Sequence, residues 1–193
     1  MQIIVTSFLD ELYGLMSRVP DLASLYEKRD ISFISGLRAW ILNCEGVLEK
    51  YHRPQVGDMA ALRSRLSAAA EGVSDSSFNQ VSTSGSRRKI FHAQAALLLS
   101  QGQGILGSQF EFFSTRREQA EKYTNQILLI SLQKNTFYPI WNSALTPSGK
   151  LNQLWQSFVS DADLVQGTRQ ILTFVGYPDA LRIMDEAITS LHL

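Results

Sequence analysis

Apolar residues recur at three- and four-residue spacing through most of the chain, the period that gathers side chains on one helix face. In the first segment Val5, Phe8, Leu9, Leu12, Leu15, Met16 and Val19 follow this rule. Pro20 is expected to stop that helix and leave Asp21 to cap the next. Asp30 or Ser32 then opens the clearest stripe, made of Phe33, Leu37, Trp40, Ile41, Cys44, Leu48 and Tyr51 and ended by Arg53-Pro54. A third helix is predicted from Asp58 onward, with Met59, Leu62, Leu66 and Ala69 inward.

The pattern then fails. Residues 73–86, VSDSSFNQVSTSGS, are Ser-rich and lack a helical period, which predicts a long, flexible loop. A fourth helix starts near Arg87 and carries Ile90, Phe91, Ala95, Leu97, Leu98 and Leu99, apolar nearly all round as in a central helix. The glycines between Gly102 and Gly107 either break it or admit a close neighbour, and another helix is predicted from Ser114 to Leu132.

The segment Asn135–Asn142, NTFYPIWN, reads as an aromatic connector. Thr146-Pro147 has the form of an N-cap followed by proline at the first helical position. Leu151, Leu154, Trp155 and Phe158 line the helix after it. Two short helices follow, one closed by Gly176 as a C′ glycine and one opened by Pro178 or Asp179. Alternating runs and hairpin signals are absent. The expectation is an all-α protein, a single bundle-like domain over 1–193 with six to eight helices and a softer division near 135–147.

Composition narrows the function classes. The 193 residues carry eighteen Lys+Arg against eighteen Asp+Glu, so no global charge favours nucleic acid or anionic membrane, although a local patch could. A single cysteine excludes an intramolecular disulfide framework and a Cys-cluster zinc site. The start, MQIIVTSFLDELYG, has acids within its apolar stretch and no basic leader, and no apolar run is long enough to span a bilayer. A cytoplasmic protein with no membrane partner is the expectation.

Candidate chemistry is sparse. Gly102, Gly104 and Gly107 spell G-x-G-x-x-G, but a dinucleotide site needs a strand before them, and HAQAALLLS reads as helix. Glu49-x-x-His52 has di-iron spacing without the second motif that such a site requires, so neither metal nor cofactor is expected. Cys44, between Trp40 and Leu48 on the stripe, reads as a structural thiol. Asp10-Glu11 and Asp185-Glu186 read as solvated.

The charge placement after the loop is more informative. Ser86, Arg87, Arg88 and Lys89 stand at a helix start, where cations oppose the macrodipole. Free N–H groups, a hydroxyl and three cations form an anion-binding arrangement, and His92 could move protons beside it. The Arg87-x4-His92 spacing resembles the Arg-x4-6-His motif of HEPN ribonucleases, helical bundles whose paired Arg and His act across a dimer. That resemblance implies catalytic Arg87 and His92 and an RNA partner. It covers six residues, and Arg88 stands where the family often has Asn, Asp or His. A second likeness, ILTFVGYPDAL over Ile171–Leu181, is similar to a turn of carboxymuconolactone decarboxylase and AhpD-like proteins. The Cys-x-x-Cys of their redox members is missing, and the turn chemistry alone accounts for the match.

Phe137, Tyr138 and Trp141 either pack over the bundle ends or, where exposed, anchor a partner. The leading expectation is therefore a non-enzymatic helical module acting through a protein partner or self-association. The rival is the HEPN-like, RNA-directed nuclease or an inactive relative. A small apolar ligand between helices is a third possibility.

Overall fold

The computed structural model describes residues 4–71 and 87–191, apart from the side chain of Arg88. The protein is all-α, with no strand among the described residues. Four helices precede residue 72: α1 (Val5–Met16), α2 (Val19–Glu27), α3 (Ser32–Lys50) and α4 (Val56–Glu71). The remainder are α5 (Arg87–Gln133), the five-residue α6 (Phe137–Trp141), α7 (Pro147–Ser160), α8 (Val165–Phe174) and α9 (Tyr177–Ser190). The predicted loop 73–86 and His192 lie outside the described residues.

Several local expectations are corrected. Pro20 does not stop α1, which ends earlier; it sits in the first turn of α2, where its missing N–H costs nothing. Asp21 lies in that first turn without capping it. Asp30 organises the start of α3 by accepting both the amide and the hydroxyl of Ser32, at 2.8 and 2.7 Å. The connector around Phe137 is itself helical. Gly176 is extended rather than left-handed, and it caps the start of α9 while Val175 ends α8. Thr146 and Pro147 behave as expected, the Thr146 hydroxyl accepting Gly149 N at 3.3 Å.

The largest correction concerns α5. Its 47 residues run unbroken through Gly102, Gly104 and Gly107, joining the two helices predicted on either side. Each glycine costs roughly 1 kcal/mol relative to alanine in a helix, too little to break one packed on both sides of the weak point. Gly102 is a place of close approach: a Cβ there would stand 2.8 Å from the Trp40 ring. Around Gly104 and Gly107 a Cβ would meet nothing.

Three helices end in the same way without glycine. Arg29, His52 and Asn135 take φ of 55, 53 and 55° after α2, α3 and α5. Each is followed by an amide reaching back five residues, Asp30 to Leu25, Arg53 to Leu48 and Thr136 to Ser131. These Schellman closures satisfy carbonyls that a helix end otherwise leaves open.

The chain forms two compact units, residues 8–111 and residues 1–7 with 112–193. In the first, the stripes of α1, α3 and α4 meet as their spacing predicts: Phe8, Leu12, Phe33, Leu37, Ile41, Leu48, Met59 and Leu66 are all buried. Trp40 is buried with them, and its indole N–H donates to Leu15 O at 2.9 Å, which satisfies its polar atom. In the second, Leu128, Phe137, Leu154, Phe158, Ile171, Ile183 and Ile188 form the core.

Candidate functional site

The basic helix start is built differently from an open anion site. Arg87 is exposed, and its guanidinium donates to Glu71 O, the last residue of α4, at 2.6 Å. A helix C-terminus carries partial negative charge, so this contact neutralises α4 and explains a cation at the start of α5. Lys89 is exposed. Ser86 and the Arg88 side chain lie outside the described residues.

His92 lies against aromatic rings. It is half-buried, its ring 5.7 Å from that of Phe33 and 6.4 Å from that of Tyr26. Five residues along a helix turn the side-chain direction by about 140°, so Arg87 and His92 leave α5 on different sides. One chain therefore does not bring the two together.

The aromatic segment divides. Phe137 is fully buried and belongs to the core, so it is no surface anchor. Tyr138 is 46% exposed and meets Phe137 edge-on at 5.6 Å. Trp141 is half-buried, stacked on Phe137 at 5.4 Å. The Lys150 ammonium lies 5.5 Å from the centre of the Trp141 ring, a cation–π distance. Leu145, also 46% exposed, lies in the connection between α6 and α7, beside Gly149.

A shallow groove of about 250 Å³ runs between α5 and α8, floored by Ile127 and Leu164 and rimmed by Tyr123, Gln126 and Gln170. Gly167, also on its wall, approaches Ile127 so closely that a Cβ there would fall 2.8 Å from that side chain. Its volume is below the ~300–1,000 Å³ usual for small-molecule pockets. Among the described residues no group of three His, Cys, Asp or Glu could hold a metal ion. Glu49 and His52 are exposed beyond the core face of α3. Burial pushes the Cys44 thiol up to about 12, which keeps it protonated and unreactive.

Two polar arrangements escaped the sequence. Asp179 is 1% exposed and accepts the amides of Val5 and Thr6. Glu11 accepts Lys50 Nζ at 2.6 Å and the Tyr51 hydroxyl at 2.9 Å, so it is a tether between α1 and α3 rather than a solvated acid. The Lys50 ammonium holds its carboxyl below the ordinary range. Neither residue stands out by spacing, since an acid on a helix is ordinarily solvated. No helix among the described residues is long and apolar enough to cross a membrane. Set against protein-family models, curated proteins and solved structures, the chain matches none of them.

Proposed function

We propose that the protein acts by association with another protein chain and that the face formed by α6 and the start of α7 is where it does so. The observation that carries this reading is the exposure of Tyr138, edge-on to a buried Phe137 on which Trp141 also stacks, with an exposed Leu145 in the connection to α7. Rigid, partly exposed aromatics lose little entropy on binding and dominate interface energies. The nuclease reading draws less support from the geometry: Arg87 is engaged by the end of α4, and His92 is packed between aromatics.

The test compares the natural protein with a Tyr138→Asp, Leu145→Asp double variant by sedimentation velocity and by cross-linking in its native extract. Loss of self-association or of a specific cross-linked partner in the variant, with helical circular dichroism unchanged, supports the reading. A complex that survives both substitutions overturns this face as the docking site. RNA cleavage by the natural protein that is lost in His92→Ala would replace association with catalysis.

A further inference from the structure

We draw no further inference here: the strongest candidate, the shallow groove between α5 and α8 floored by Ile127 and Leu164, carries nothing because nothing in the structure shows what covers it.

Discussion

The carboxylate of Asp179, in the first turn of α9, accepts the backbone amide of Val5 at 2.6 Å and that of Thr6 at 3.1 Å. It thereby caps the start of α1 from 174 residues away. A helix leaves its first amides without partners, and a residue just before the helix ordinarily supplies the acceptor. Here the acceptor comes from the other end of the chain, and it is buried with the amides that it serves.

Asp179→Ala is therefore expected to destabilise the protein by about 2–3 kcal/mol, because it strands two donors that water reaches poorly. Asp179→Asn keeps one carbonyl oxygen and should cost less. Urea unfolding midpoints of the two variants give the order. Equal midpoints for Asp179→Ala and the natural protein would show that the cap contributes nothing.

The glycines of α5 should respond in opposite directions. Gly102→Ala places a methyl against Trp40 and should cost about 1–3 kcal/mol through overpacking. Gly104→Ala and Gly107→Ala place theirs in open space and should each stabilise by roughly 0.5–1 kcal/mol through helix propensity. Thermal unfolding of the three single variants tests the contrast, which fails if all three shift the same way.

Stability should fall in acid partly through Glu11. Its folded value lies below the ordinary 4.5, chiefly because Lys50 donates to it. The stabilisation is thus fully present above that ordinary value and is lost as pH falls through the lower, folded one. Asp161, held below the ordinary 3.8 by Lys134, acts with the same sign just beneath. Glu11→Gln should flatten the pH dependence of the urea midpoint on the acid side, while the Lys50–Glu11 pair, being largely exposed, gives a modest effect. An unchanged acid limb in Glu11→Gln would remove Glu11 from this account.

Cys44 should resist alkylation in the folded protein. It is fully buried and its thiol is pushed up to about 12, so the reactive thiolate is scarce at mildly alkaline pH. Iodoacetamide labelling should follow urea unfolding, with one adduct by mass spectrometry. Rapid labelling without denaturant would contradict the packing of α3.

How far the sequence reaches differs from one feature to the next. On α3 every residue of the predicted stripe, from Phe33 to Tyr51, is buried, and on α4 the same holds for Met59, Leu62, Leu66 and Ala69. Three- and four-residue spacing is a property of the helix itself, so burial of one face follows from order along the chain. Thr146 and Pro147 were legible for the same reason, since a cap acts within one turn.

What required the tertiary structure was every contact whose partner is distant in sequence. The close approach of Trp40 to Gly102, within an α5 that runs unbroken through three glycines, is a contact no local propensity encodes. Arg87 at a helix start resembles an anion site until the carbonyl of Glu71 is beside it. Phe137 and Tyr138 are neighbours in an aromatic run, yet one is core and the other surface, because a short helix turns adjacent side chains apart. Asp179 is one acid among many in the sequence, and only folding brings the amides of Val5 and Thr6 to it. Local order along the chain determined the helices and their buried faces; which polar groups are engaged and which are left exposed was decided by packing.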